Sequence, residues 1–208
     1  MFTGLIEKTG RLARLVPRGN GYTLEIEHEP WQDSLSRGES ISVNGVCLTL
    51  TESSGSLSQF DVLAETIAKT SLNRKRSGSI MNLERALRAS DRMGGHIVTG
   101  HIDGIGTLKD IQKTGSDHII TISCDEQIMD GIVKKGSIAL DGISLTITEA
   151  TSSTFSVHII PTTWESTSFS KSQTGDQVNV ETDLIGKYVK KYCVKPREEA
   201  TRFNPALL

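Results

Sequence analysis

One stretch of this chain occurs twice. Ser40-Ile41-Ser42-Val43-Asn44-Gly45-Val46-Cys47-Leu48-Thr49-Leu50-Thr51-Glu52 returns 97 positions later, without a gap, as Ser137-Ile138-Ala139-Leu140-Asp141-Gly142-Ile143-Ser144-Leu145-Thr146-Ile147-Thr148-Glu149. The same spacing brings Thr66, Thr70, Ser71, Gly78, Asn82, Glu84 and Leu87 onto Thr163, Thr167, Ser168, Gly175, Asn179, Glu181 and Leu184, and Thr3-Gly4 meets Thr99-Gly100 at 96 positions. A period this long exceeds the roughly 20–50 residues of solenoid repeats, so each copy must enclose its own core. The seam falls near Asp91-Arg92-Met93-Gly94-Gly95. Two homologous domains, 1–95 and 96–184, and a tail, 185–208, are expected.

Within each copy the hydrophobic period is two. Ile41 and Val43, then Leu48 and Leu50, flank Asn44-Gly45; Asp141-Gly142 stands at the same place in the second copy. These dipeptides accept the positive φ of a tight hairpin. Further strands are expected over Tyr22–Glu27, Phe60–Ala64, Ser79–Leu83, His118–Ser123, Phe155–Ile160 and Gln177–Glu181. Short strands every 8–15 residues, with no long helical pattern between them, predict an all-β chain of antiparallel barrels, whose closure removes exposed edges. The tail differs. Leu184, Tyr188 and Tyr192, with Ile185, Val189 and Cys193, lie at helical spacing; Lys187, Lys190, Lys191 and Lys195 take the other positions, and Pro196 ends the run. So short a helix must dock on its own barrel or on another subunit.

The 23 basic and 25 acidic residues leave a net charge of −2, which offers no electrostatic reason to expect a nucleic acid or an acidic membrane as partner. The first residues lack a signal-peptide pattern and no window resembles a membrane span, so a cytoplasmic protein is expected. Cys47, Cys124 and Cys193 form no C-x-x-C pair, and five positions between His96 and His101 would put them on opposite strand faces. No metal site is expected.

Met1-Phe2-Thr3-Gly4-Leu5-Ile6, Asn44-Gly45-Val46-Cys47-Leu48-Thr49, Gly94-Gly95-His96, Gly100-His101-Ile102-Asp103-Gly104 and Asp141-Gly142-Ile143-Ser144-Leu145-Thr146 together resemble the riboflavin synthase family of the α-chain type. The resemblance spans nearly the whole chain and is weakest from about Lys195 onward. It implies two tandem six-stranded Greek-key β-barrels with a C-terminal α-helix, a homotrimer, and one ligand pocket per barrel. The active site would form where the first barrel of one subunit faces the second barrel of a neighbour. It also implies the reaction: dismutation of two 6,7-dimethyl-8-ribityllumazine molecules into riboflavin and 5-amino-6-ribitylamino-uracil, without metal, flavin or nucleotide cofactor. A non-catalytic lumazine or flavin carrier built on the same double barrel is the competing reading; two intact hairpin motifs favour the enzyme.

Carried over residue by residue, the resemblance assigns Gly4, Leu5, Ile6, Cys47, Leu48, Thr49 and Asp61-Val62-Leu63-Ala64-Glu65-Thr66 to the first-barrel pocket. Gly100, His101, Ile102, Lys135, Ser144, Leu145, Thr146 and His158-Ile159-Ile160-Pro161-Thr162-Thr163 fall to the second. Thr49 and Thr146 are equivalent and would hydrogen-bond the ring or the ribityl chain; the bland alternative is threonine's general preference for strands. Cys47, opposite Ser144, would add to C7 of the donor or shape its pocket, against the ordinary reading as a small buried hydrophobe. Ser40 is another candidate hydroxyl, expected on the same strand. His101, opposite Leu5, is a candidate proton relay, since imidazoles titrate near neutrality, or a histidine bonded to backbone. Asp141, opposite Asn44, would orient charge near the second substrate or only make the turn.

Overall fold

The computed structural model describes residues 1–193, so Lys195 and Pro196 lie outside the described residues. The first copy contains β1 (Lys8–Arg18), β2 (Gly21–His28), β3 (Ser40–Val43), β4 (Val46–Ser54), β5 (Leu57–Leu63) and β6 (Ile80–Arg85), closed in the order β1-β2-β5-β4-β3-β6. The second contains β7 (Gly104–Thr114), β8 (Asp117–Ser123), β9 (Ser137–Leu140), β10 (Ile143–Ala150), β11 (Thr154–Ile159) and β12 (Gln177–Thr182), in the equivalent order. All pairings are antiparallel. In each barrel the third to fifth strands form a meander and the sixth returns beside the third, which is a Greek key.

The alternation that marks the hairpins also fixes which face is wet. In β4, Val46, Leu48 and Leu50 are buried while Thr49 is exposed; in β10, Ile143, Leu145 and Ile147 are buried while Thr146 is exposed. A one-residue slip would turn three core side chains outward, at about 1.5–3 kcal/mol each, so the register is well determined. The inward residues join two separate cores, one around Leu24, Ile26, Phe60 and Met81, the other around Ile120, Ile122, Phe155 and Val180.

Two strands per molecule escape the sequence reading. β1 and β7 carry Lys8, Arg11, Arg14 and Arg18, or Lys109, Asp110 and Lys113, and their distal halves are largely solvent-exposed. Each is also bulged, between Leu12 and Arg14 and between Leu108 and Asp110, which breaks the period-two signal. The strands expected to reach Ala64 and Ile160 stop at Leu63 and Ile159. Short helices follow them, α1 (Ala64–Lys69) in the first copy and α3 (Pro161–Ser166) in the second, where α2 (Glu126–Met129) lies earlier, between β8 and β9. Proline at the first helical position explains the start of α3.

The tail helix α4 (Leu184–Cys193) forms as expected but buries none of its residues on its own barrel. Ile185, Tyr188, Val189 and Tyr192 are exposed, while Lys187 Nζ reaches Asp103 Oδ2 at 2.7 Å and Lys190 Nζ reaches Asp130 Oδ2 at 3.2 Å. Ion pairs hold the polar side and leave the apolar side uncovered by the described residues. Truncation after Asp183 should therefore leave both barrels folded by circular dichroism yet lower the sedimentation coefficient; an unchanged coefficient would mean that α4 joins no subunits. No helix among the described residues is long and apolar enough to cross a membrane.

Candidate functional site

The two barrels meet across a pseudo-two-fold seam made of buried polar groups. Glu84 on β6 accepts hydrogen bonds from the N–H and hydroxyl of Thr3 (2.6 and 2.8 Å) and from the N–H of Gly4 (3.0 Å). Glu181 on β12 treats Thr99 and Gly100 identically, at 2.7, 2.6 and 3.0 Å. Burial pushes the Glu84 carboxyl above its ordinary range, and its donors pull the other way. Leaving such donors buried without an acceptor would cost about 1–3 kcal/mol each, which is why a carboxylate is retained there.

The segments held by these carboxylates cross to the opposite barrel. Ser144 N–H donates to Gly4 O (2.8 Å), and Cys47 N–H donates to Gly100 O (2.9 Å). Gly4 and Gly100 have φ of +77° and +81°, and a Cβ on either would lie 2.6 Å from Ser144 Cβ or 2.5 Å from Cys47 Cβ. Ile6 packs on the second core and Ile102 on the first. The expected grouping is therefore exchanged. Gly4-Leu5-Ile6 belongs with Ser144-Leu145-Thr146, and Gly100-His101-Ile102 with Cys47-Leu48-Thr49. Spacing within one copy could not reveal this, because the exchange is a tertiary hydrogen-bond pattern.

At the centre of the seam the symmetry is broken once. Asn44 and Asp141 both adopt left-handed turns, φ 48° and 43°. Asn44 Oδ1 accepts from Asn82 N–H (2.7 Å) and Asp141 Oδ1 from Asn179 N–H (2.8 Å), while Asn44 Nδ2 donates to Asp141 Oδ2 at 3.4 Å. Two asparagines would set amide against amide, and two aspartates charge against charge. Lys75 Nζ, 3.7 Å from Asp141 Oδ2, compensates the charge; its counterpart beside Asn44 is the neutral Ser172. Burial raises the Asp141 carboxyl above its ordinary range, with Lys75 opposing that rise. At 2% exposure Asp141 orders the turn and the seam, so of its two expected roles the geometry favours the structural one.

The outer faces of β4 and β10 carry the chemistry-bearing side chains. Cys47 is half-buried and Thr49 exposed; Ser40 lies opposite Thr49 across the hairpin. On the second barrel Ser144 is half-buried and Thr146 exposed. Leu48, Val62, Leu145 and Ile159 point into the cores, so only their backbones can meet a ligand. Asp61, Leu63, Ala64 and Glu65 flank the first face with the half-buried Thr66, and His158, Ile160, Pro161, Thr162 and Thr163 flank the second. Leu63 and Ile160, equivalent residues at 71% and 57% exposure, leave each face with an uncovered apolar wall, and Leu5 adds a third such surface at 51%. Lys135 is exposed with φ 67°, where the first copy has Gly38 at φ 88°. A lysine there accepts about 1–2 kcal/mol of backbone strain that glycine avoids in the first copy.

One contact was not anticipated. His96 Nδ1 lies 2.7 Å from Ser144 Oγ, and its Nε2 is buried without a partner among the described residues. Burial lowers the His96 pKa, so the ring is neutral near pH 7. The Gly94-Gly95-His96 motif held the clue: Gly95 packs against Thr3 and Ser144 with no room for a side chain, which brings the next residue onto the serine. His101 is exposed and, among the described residues, donates only its backbone N–H, to Thr99 Oγ1 at 3.3 Å. His118 stacks on Trp164, centroids 3.8 Å apart, where the first copy has Tyr22 and Ile67. Burial pushes the Cys124 thiol up to about 12, which removes it as a nucleophile. Among the described residues no three His, Cys, Asp or Glu side chains cluster as a metal site would need.

Comparison with known proteins matches this arrangement. The family model of the lumazine binding domain fits twice, over residues 3–86 and 99–183. Riboflavin synthase of Actinobacillus pleuropneumoniae is 39% identical over 100% of this chain and 96% of its own length. That of Bacillus subtilis is 39% identical over 97% and 94%, and that of Escherichia coli 38% over 88% and 87%. Among solved structures, LumP complexed with riboflavin superposes with a TM-score of 0.80, covering 88% of this chain and 99% of its own at 24% identity, a likeness of fold. Two barrels of one topology, two matches of one domain model and full-length relatives of one kind agree: the chain belongs to the riboflavin synthase family.

Proposed function

We propose that this protein catalyses the dismutation of two 6,7-dimethyl-8-ribityllumazine molecules to riboflavin and 5-amino-6-ribitylamino-uracil. The observation that carries the proposal is the pair of equivalent outer faces. Each has a glycine segment crossing from the other barrel, a hydroxyl or thiol, an exposed threonine and an uncovered apolar wall. Two identical substrates need two such faces. The two products together contain every atom of two substrates, so the reaction needs no external oxidant or reductant.

Chemistry follows from the electron-poor ring. A base removes a proton from the C7-methyl of one lumazine, and the resulting carbanion bonds to a carbon of the second. Passage of the four-carbon unit then closes the new ring and releases the uracil amine. Ser144, hydrogen-bonded to the neutral His96, is the hydroxyl best placed for proton transfer in the second face. Cys47 is the nucleophile candidate of the first, where addition to C7 would hold the donor. Thr49, Thr146 and Lys135 are suited to the ring carbonyls and the ribityl hydroxyls. Holding the two rings in register supplies on the order of 7–11 kcal/mol of the barrier, more than any single acid–base contact.

Both faces are open within one chain, so we assign their closure to a neighbouring subunit in a homotrimer, with the first face of one chain against the second face of the next. The uncovered side of α4 supports the same assembly.

Purified protein mixed with dimethyl-ribityllumazine should form one riboflavin and one ribitylamino-uracil per two substrates, read by flavin fluorescence and chromatography. Tight binding without turnover would replace the enzyme with a carrier. In the same assay Cys47→Ala should lower kcat by about 10- to 100-fold with its fold intact, because a positioning or covalent contact is lost. Cys47→Ser should retain part of the activity, as the second copy carries serine there. Full activity of Cys47→Ala would return this thiol to the role of a packing residue.

A further inference from the structure

The two crossing segments meet at the pseudo-two-fold axis, where Phe2 and Val98 exchange backbone hydrogen bonds of 2.7 and 3.1 Å, and then part towards opposite outer faces. Each is gripped by a carboxylate of the barrel whose first strand it leads into. We propose that Glu84 and Glu181 are positioning residues that act crosswise: Glu84, on the first barrel, sets the second outer face, and Glu181, on the second barrel, sets the first. The proposal rests on the reading above that these two faces hold the two lumazines.

The path from carboxylate to face is short on both sides. Glu84 Oε2 accepts the N–H of Gly4, and the carbonyl of that same residue accepts the N–H of Ser144 at 2.8 Å. Glu181 Oε2 likewise holds the N–H of Gly100, whose carbonyl accepts the N–H of Cys47 at 2.9 Å. The hydroxyls of Thr3 and Thr99 stiffen the next residue as well: each donates to its carboxylate and accepts the N–H of Leu5 or His101 at 3.3 Å. The second face receives one tie more. Thr3 O accepts the N–H of His96 at 3.2 Å, and His96 Nδ1 meets Ser144 Oγ. Glu84 therefore reaches both the backbone of Ser144 and the histidine on its hydroxyl.

Packing alone gives no reason for a carboxylate at either place. Glu84 is 4% and Glu181 2% exposed, and neither has an ion-pair partner among the described residues. A buried carboxylate is costly unless hydrogen bonds stabilise it, and an apolar side chain would fill the space at lower cost. What the carboxylate adds is two acceptor oxygens for three donors of one segment, which fixes the direction of the glycine carbonyl beyond them. A glutamine accepts on one oxygen only, and its amide nitrogen would confront an N–H of that segment, donor against donor.

Iodoacetamide labelling, read site by site by peptide mass mapping, reports the two faces separately in a Ser144→Cys protein, which carries a thiol on each because Cys47 lies on the first. Glu84→Gln should raise the labelling rate at position 144 roughly threefold or more and leave that of Cys47 unchanged, because a lost anchor lets its own segment open more often. Glu181→Gln should do the reverse. Without Ser144→Cys, kcat should fall about 10- to 100-fold in each glutamine variant, since a misplacement on the order of 1 Å costs about 10². The fall should be larger in Glu84→Gln, which loosens two ties. Thr3→Val and Thr99→Val each remove one donor from the same two grips and should give the same crossed pattern on a smaller scale, which decides the matter if a glutamine variant fails to fold. Equal gains at both thiols, gains on the carboxylate's own barrel, unchanged labelling in folded variants, or crossed labelling with undiminished kcat would each overturn the proposal. Labelling needs no turnover, so crossed labelling in a wild-type background that makes no riboflavin would remove the dismutation and leave the crosswise hold on the two faces standing.

Discussion

Replacing His96 by glutamine is expected to lower kcat by about 10²- to 10⁴-fold, the range that a positioned proton-transfer group contributes. The imidazole meets Ser144 Oγ at 2.7 Å, whereas its other nitrogen is enclosed without a partner among the described residues, so its one specific contact there is with the serine. Glutamine can keep a hydrogen bond to that hydroxyl but cannot accept a proton at neutral pH. A loss in kcat with KM little changed would distinguish chemistry from binding. The pH profile gives a second reading. Burial depresses the His96 pKa, so in the wild type the acid limb of kcat should lie below the ordinary imidazole range near 6.5. The sign for stability is the same. The unfolded ring binds a proton more readily than the folded one, so stability that is full at neutral pH falls as pH drops through the unfolded value. Near-wild-type kcat in His96→Gln, with an unmoved acid limb, would transfer the proton-relay role to the exposed His101.

The repeat made the two barrels legible because a hairpin with buried alternate residues writes the same signal twice. Other features left weaker signals, for physical reasons. β1 and β7 are basic, bulged and half outside their barrels, so their alternation is masked. The seam is a set of buried polar groups, and composition gives no sign that Glu84 and Glu181 face backbone N–H groups rather than water. A sign did exist: Asn82 and Glu84, alternating with Met81 and Leu83, recur as Asn179 and Glu181, alternating with Val178 and Val180, and both strands are buried at these positions. Hairpin position leaves both roles of Asp141 open, charge near the second substrate or the turn alone, because it cannot separate the outer face of a barrel from the face it turns to its twin. The expected site residues mostly fall on the two outer faces, while the pairing of Gly4 with Ser144 and of Gly100 with Cys47 depends on how the barrels dock.

That docking alters the experiment that locates catalysis. His101 sits beside Cys47, so a second-face variant must be built from Ser144→Ala with Thr146→Ala, and a first-face variant from Cys47→Ala with Thr49→Ala. Each parent is expected to be inactive, since every site then contains one crippled face. Co-refolded at equal amounts, the two should regain activity, because random mixing gives about one interface in four between an intact first face and an intact second face. The recovered rate should therefore approach about a quarter of wild type and scale with the product of the two subunit fractions. A site made within one chain behaves differently. Each chain then carries its own lesion into any assembly, and no mixture contains a complete site. Mixed oligomers, verified by a mass tag on one parent, that stay as inactive as their parents would place both substrates within one chain. Activity appearing with the mixing places the reaction between chains, where the uncovered side of α4 and the open apolar walls at Leu63 and Ile160 also look for a partner.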